Sequence, residues 1–166
     1  MPDFQKLKEL LAYDSESGIF TWKKAHGRGI ACTKAGDRAG GKNWCGHRLI
    51  GIDGRRYREH RLAYEFVFGS IPNAFEIDHI NGVYDDNRIA NLRLATHQQN
   101  LANCKNRKNN TSGRKGVSRH KGGYWRARIM VSGKEVFLGL FSTIEEAGSA
   151  YSTASKKYFG EFGRAL

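Results

Sequence analysis

Phe4, Leu7, Leu10 and Leu11 fall three or four residues apart, the spacing of one helical face, and predict a short N-terminal helix. The turn-forming "DSESG" ends it, and "IFTWK" comes next as a strand-like run. "KKAHGRGIACTKAGDRAGGKNWCG" shows neither period and predicts loop with an edge strand. In "HRLIGIDGRRYREH" two extended runs, carrying Leu49 and Tyr57, flank Asp53-Gly54, a dipeptide that predicts a tight hairpin. "RLAYEFVFG" predicts a helix closed by Gly69, with Leu62, Phe66 and Val67 turned inward. Phe75 and Ile77 alternate with polar neighbours as strand residues do, "NGVYDDN" turns the chain, and "IANLRLAT" returns as a second extended segment. Thr96, with Gln99 three residues later, predicts the capping box of a helix that carries His97 and Asn100 on one face. "KGVSRHKGGYWRARIMVSGKEVFLGLF" then predicts three short strands broken at Gly122-Gly123 and Ser132-Gly133. The last segment, "STIEEAGSAYSTASKKYFG", predicts a helix with Ala147, Ala150, Tyr151 and Ala154 on one stripe.

Composition narrows the class. A chain of 166 residues that is 39% hydrophobic makes one ordinary domain or two small ones and can build a modest core unaided. No apolar run approaches the roughly 20 residues of a membrane helix. The start "MPDFQKLKELL" places charges where a signal peptide is apolar, so a cytoplasmic protein without membrane association is expected. Cys32, Cys45 and Cys104 are odd in number and form no C-x-x-C pair, which excludes a disulfide framework or zinc ribbon and predicts reduced thiols.

Charge changes the picture more. Between Asn87 and Lys134 there is no Asp or Glu, while Arg88, Arg93, Lys105, Arg107, Lys108, Arg114, Lys115, Arg119, Lys121, Arg126, Arg128 and Lys134 supply twelve positive charges, the whole of the net +12. Such segregation, interleaved with Tyr124, Trp125 and many Asn, Ser and Thr donors, points to a polyanion, with nucleic acid first. An anionic membrane would want these charges on an amphipathic helix, and "NRKNNTSGRKG" does not form one.

The stretch "EIDHINGVYDDNRIANLRLATHQQN" carries the candidate chemistry. It sets Asp78 and His79 at the end of a strand, Asn91 in the return and Asn100 on the helix after it. With the neighbouring "HRLAYEF", this order and spacing over residues 46–103 resembles the HNH (ββα-metal) endonucleases, closest to the free-standing homing-type enzymes of bacteriophages. The likeness implies an Asp-His pair, a middle Asn and, in the variant form, Asn on the helix. Hydrolysis of a phosphodiester needs a divalent cation near the phosphate and a base for water. Hard oxygen donors suit Mg²⁺ (or Mn²⁺), so Asp78 and Asn100 are expected to hold the metal, with His97 on the same helical face as the alternative to Asn100. His79 is expected as general base and Asn91 as the tether that aims it. His60 is read as a structural histidine beside the site; His26, His47 and His120 have no partner at metal-ligand spacing in the sequence.

"CKNRKNNTSG" is too polar to pack and is read as an extended basic linker along DNA. The C-terminal segment beyond it resembles the Apetala-two (ethylene-response-factor) type of DNA-binding domain, at Gly116-Val117, Trp125, Ala127, Ile129, Leu138-Gly139, Phe141, Glu146-Ala147, Ala150-Tyr151 and "FGEFGRA". Phage HNH enzymes often carry such a domain at the C-terminus, and in that family the sheet enters the major groove. Period-two alternation puts Trp125, Ala127 and Ile129 toward the helix and Arg126, Arg128 and Met130 toward DNA. Lys115, His120 and Phe137 match further contact positions, whereas Ser118 and Glu135 depart from the basic residues expected there.

The sequence therefore predicts an α+β protein: a ββα-metal nuclease domain in residues 1–103, a linker in 104–113, and in 114–166 a three-stranded antiparallel sheet packed on one helix. Its expected reaction is metal-dependent cleavage of double-stranded DNA by a monomer, as a nick or a double-strand cut. Arg93, Lys105, Arg107, Lys108, Arg114, Lys115, Arg119, His120, Arg126 and Arg128 are the expected DNA contacts. The reading from another class is a non-catalytic, sequence-specific DNA-binding regulator with a degenerate nuclease module; RNA binding stands third.

Overall fold

Leu7 and Leu11 mark the first buried stripe of the computed structural model, which describes residues 4–25, 32–106 and 109–164. His26, Arg107 and Lys108 lie outside the described residues. The chain forms two compact units, Met1–Leu94 and Ala95–Leu166. Both mix helices with small antiparallel sheets, so the protein is α+β. No described helix is long and apolar enough to cross a membrane.

In the first unit, helix α1 (Phe4–Leu10) leads into the antiparallel hairpin β1 (Leu11–Asp14) and β2 (Ile19–Trp22). Strands β3 (Gly41–Lys42), β4 (Arg48–Ile52) and β5 (Arg55–Arg58) make a three-stranded sheet. Asp53 and Gly54 both take positive φ (51° and 73°), the backbone signature of the tight turn their sequence predicts. Helix α2 (Glu59–Phe68) ends at Gly69 and buries Leu62 and Ala63. Phe66 is partly buried against the core and stacks edge-on against Phe4 and Phe20, with ring centroids 5.4 and 5.2 Å apart. Val67 does not turn inward: it shares Ala63's side of the helix but lies in the last turn of α2, where it is 46% exposed. Strand β6 (Glu76–His79) pairs with β7 (Leu92–Ala95), and a single 3-10 turn, Ile89–Asn91, precedes β7. The predicted alternation fails at the end of β6, where Ile77, Asp78 and His79 are all buried. That departure marks the site.

The second unit opens with helix α3 (His97–Asn103), capped as predicted: Thr96 Oγ1 accepts from the Gln99 amide, and the Gln99 side chain reciprocates. Strands β8 (Val117–Arg119), β9 (Trp125–Val131) and β10 (Lys134–Phe141) form an antiparallel sheet in the order β10-β9-β8. Helix α4 (Ile144–Phe159), started by a Thr143–Glu146 capping box, packs Ala147, Tyr151 and Ala154 inward. Ala102 of α3 shares a core with Ile129, Tyr151, Ala154, Phe159 and Phe162, so α3 belongs to this unit's packing. The described part of the expected linker is a compact turn, in which Asn110 Oδ1 accepts from the amides of Ser112 and Gly113 at 2.9 Å each.

Candidate active site

Asp78 and His79 are buried at the end of β6, 4% and 3% exposed. A buried carboxylate needs a partner, since desolvation of an isolated charge costs several kcal/mol. Arg93, on the paired strand β7, supplies it, its Nε standing 2.9 Å from Asp78 Oδ2. The guanidinium expected to contact DNA is thus committed to the carboxylate expected to hold metal.

His79 is held on its other side. Its Nε2 lies 3.1 Å from Asn87 Oδ1, and Asn87 is buried. With that oxygen as acceptor, Nε2 carries the ring proton and Nδ1 presents the lone pair. Asn87 is fixed in turn, because Tyr13 Oη donates to its carbonyl at 2.7 Å. Gly18, at the β1–β2 turn with φ +71°, lies so close that a Cβ there would come within 2.4 Å of the Asn87 carbonyl carbon and 2.3 Å of the Arg88 nitrogen. The hairpin therefore presses on the residue that orients the histidine.

Asn91 ties down the loop between the two strands. Its Oδ1 accepts from the Asn81 amide at 3.0 Å, and its Nδ2 donates to the Asp86 carbonyl at 2.8 Å. Asp86 receives both Nε and Nη2 of Arg88, at 2.7 and 2.6 Å, and Asn81 Nδ2 at 2.7 Å. The Arg88 hydrogen bonds pull the Asp86 carboxyl down to about 2. The loop thus stays negatively charged beside His79.

His47, which sequence spacing leaves without a partner, and His60, read from the sequence as a structural histidine, gather at the same place. His60, on the first turn of α2, has its ring 5.0 Å from that of His79, and His47 lies 5.2 Å from His60 and 6.0 Å from His79. Tyr84 stacks on His47 at 4.4 Å. Beneath them Arg48 Nε stands 2.7 Å from Glu59 Oε2 in a buried ion pair, and Arg48 Nη2 donates to the Ala39 and Gly40 carbonyls, fixing β4 against the start of α2. Burial holds the His60 imidazole well below its ordinary 6.5, with the neighbouring His79 acting in the same direction. Burial also lowers His47, again with His79 adding to the effect. His79 is lowered by burial, against the opposing pull of its Asn87 hydrogen bond and of Asp78. The cluster is neutral at physiological pH, so His79 is in the protonation state a base requires.

The remaining expected residues lie in the second unit, apart from Arg93. Asn100 is half-buried on α3 and His97 is exposed. Lys105, Arg114, Arg119 and His120 are exposed. Along β9, Ala127 and Ile129 are buried while Arg128 and Met130 are exposed, with Arg126 between, and Arg128 Nη1 pairs with Glu135 Oε2 at 2.6 Å. Lys115 is turned inward: its Nζ donates to the carbonyls of Ala102 (2.5 Å), Cys104 (2.8 Å) and Leu101 (3.3 Å). Burial lowers its pKa accordingly. Those three carbonyls lie at the C-terminal end of α3, so Lys115 adds a charged cap to it.

Asn87, Tyr13 and the grouping of His47 with His60 and His79 are what sequence reasoning passed over. The Tyr13–Asn87 bond joins positions 74 apart, and no local pattern signals it.

A buried acid-histidine pair at a strand end, a neutral imidazole with a fixed tautomer and a loop tied by asparagine make hydrolytic, phosphodiester-cleaving chemistry the class this site fits. The chain belongs to the HNH endonuclease family and is a nuclease. A profile described as HNH endonuclease matches residues 57–102. Protein 3.8 of Escherichia phage T7 is 35% identical over 108 residues, which cover 64% of this chain and 88% of that protein. An uncharacterized HNH endonuclease of Acanthamoeba polyphaga mimivirus is 32% identical over 114 residues, 68% of this chain and 59% of that protein. An AP2-like ethylene-responsive transcription factor of Oryza sativa subsp. japonica is 37% identical over 124 residues, 69% of this chain but 19% of that protein.

Proposed function

We propose that the protein is a metal-dependent endonuclease of double-stranded DNA, with His79 as general base and its C-terminal sheet as the targeting element. The observation that carries this reading is the Asn87–His79 hydrogen bond immediately behind the buried Asp78 carboxylate. In the proposed reaction His79 Nδ1 takes a proton from water as the water oxygen bonds to phosphorus, and a phosphorus–oxygen ester bond breaks with its electron pair leaving on the nucleotide oxygen. Asn87 holds the ring so that this lone pair keeps its direction, and Asn91 holds the loop that carries Asn87.

A carboxylate oxygen and an amide oxygen are the hard donors that Mg²⁺ or Mn²⁺ takes, and the Asp78 carboxylate already balances a positive charge at its buried position. Asp78 would hold the ion, which when bound supplies charge stabilisation at the phosphate. For targeting, support comes from the similarity to the rice transcription factor and from the three-stranded sheet backed by α4, whose β9 exposes Arg128 and Met130. The exposed Lys105, Arg114, Arg119 and His120 add the backbone contacts.

Plasmid nicking in Mg²⁺, Mn²⁺ or EDTA tests the reading. Cleavage in either metal that EDTA and His79→Ala both remove is expected. Cleavage that persists in EDTA overturns the metal, and unchanged cleavage by His79→Ala overturns the base. A protein that binds DNA and never cuts it would be the regulator.

A further inference from the structure

His47, His60 and His79 each offer one ring nitrogen to a common point, the three atoms lying within 4.8 Å of one another. We propose that they form a second metal site, selective for a borderline transition ion of the Zn²⁺ class, and that filling it engages the His79 imidazole and stops cleavage. The inhibitory half of this statement rests on His79 being the base; the binding half does not.

Four observations carry the site. The donors are all imidazole, which suits Zn²⁺, Co²⁺, Ni²⁺ or Cu²⁺ and not the hard ion expected at Asp78. Three protein ligands with a fourth position left for water is an established zinc geometry. Two buried ring nitrogens of these histidines, His47 Nδ1 and His60 Nδ1, have no hydrogen-bond partner, and His60 is only 3% exposed, so the cluster holds imidazole nitrogens that the protein leaves unsatisfied. Finally, His79 already has the outer hydrogen bond that metal-bound histidines use to fix ring and tautomer, from Nε2 to Asn87 Oδ1.

The geometry must tighten. Bonds of about 2.0–2.1 Å in a tetrahedral site bring ligand nitrogens to roughly 3.3 Å from one another. His47 stands at the end of a turn, just before β4, with its backbone amide donating to Asn43 Oδ1. The carboxylates of Asp78, Asp85 and Asp86 all act on His79 and help offset the ion's charge, while Arg58 and Arg61 act on His60 in the opposite sense.

The test uses the full chain without DNA first. Co²⁺ titration should give the intense visible bands of a four-coordinate site at one equivalent, displaced by Zn²⁺. In His47→Gln and His60→Ala the affinity should fall roughly 100-fold or more, beyond the 10–100-fold that loss of an outer partner costs. Asp78→Asn should leave the cobalt spectrum intact, which separates the two sites. His47→Gln, at a half-buried turn position, keeps the test open if His60→Ala does not fold. With DNA and Mg²⁺, one equivalent of Zn²⁺ should stop nicking by the parent, and the inhibited fraction, taken against each protein's own Mg²⁺ activity, should drop in His47→Gln. No cobalt bands, or bands unchanged in both histidine variants, overturn the site. Nicking supported by Zn²⁺ alone, or zinc inhibition undiminished in His47→Gln, overturns the inhibitory role. If Mg²⁺ gives no cleavage in any protein, the functional reading fails and the cobalt spectra still decide the site.

Discussion

Arg93 Nε lies 2.9 Å from Asp78 Oδ2, with both side chains largely withdrawn from solvent. The guanidinium occupies, in charge if not in position, the role a divalent ion would take at that carboxylate. Removing it should deprive a buried carboxylate of its ion-pair partner, at a cost of about 3–5 kcal/mol. Arg93→Ala is therefore expected to melt well below the parent and to regain more stability from Mg²⁺ than the parent does. Thermal melts with and without the ion measure this. Equal Mg²⁺-induced shifts in the two proteins would show that Asp78 is not where the cation acts.

The hydrogen bond from His79 to Asn87 predicts a rate effect without a binding effect. His79→Ala should lose roughly 10²-fold or more in turnover, as removal of a general base does. Asn87→Ala should lose less, with the KM for DNA unchanged, because the ring keeps its basicity but not its aim. An Asn87 variant whose defect lay wholly in KM would place Asn87 in substrate binding instead.

Acid should destabilise the first unit through its histidines. Burial holds the pKa values of His47, His60 and His79 below the ordinary 6.5 that they regain on unfolding. Well above 6.5 both states are neutral and stability does not depend on these groups. Below it the unfolded chain binds protons that the folded chain refuses, so stability falls with pH until the folded-state values are reached. Urea unfolding between pH 8 and pH 5.5 should show this slope, and His60→Gln, which removes the most strongly lowered of the three, should flatten it. An identical slope in that variant would move the effect elsewhere.

Lys115 separates a structural role from a DNA contact. If it caps α3, Lys115→Ala should cost about 1.5–3 kcal/mol for charged hydrogen bonds lost, with the slope of log affinity against log salt unchanged. Arg119→Ala, at an exposed position on β8, should show the reverse: an unaltered melt and a salt slope smaller by about 0.9 per phosphate contact. A reduced salt slope for Lys115→Ala would return that residue to the DNA surface.

Legibility tracks sequence distance. The Thr96–Gln99 capping box, the Asp53-Gly54 turn and the alternation of Ala127 and Ile129 with Arg128 and Met130 are written within a few residues, and the fold uses them as read. Asp78 and His79 stand out because the HNH pattern is itself local. The relationships that escape a sequence reading join distant segments: Tyr13 with Asn87, Asp78 with Arg93, and His47 with His60 and His79. Helical period alone misplaces Val67, which shares Ala63's side of α2 but falls in its last turn, where it is exposed. Charge counts likewise say nothing of which cations are already engaged, as Lys115 and Arg93 are.

Gly18 and Tyr13 brace Asn87 from a hairpin that lies well upstream of the segment, 57–102, by which the family is recognised. The recognisable motif is consequently not a portable cassette. Grafted onto another scaffold, or expressed as a minimal fragment, it would carry Asp78, His79, Asn87, Asn91 and Asn100, yet lack the wedge that keeps Asn87 at its post. An engineer wanting a smaller nuclease from this chain would have to retain the first two strands or invent a substitute for them.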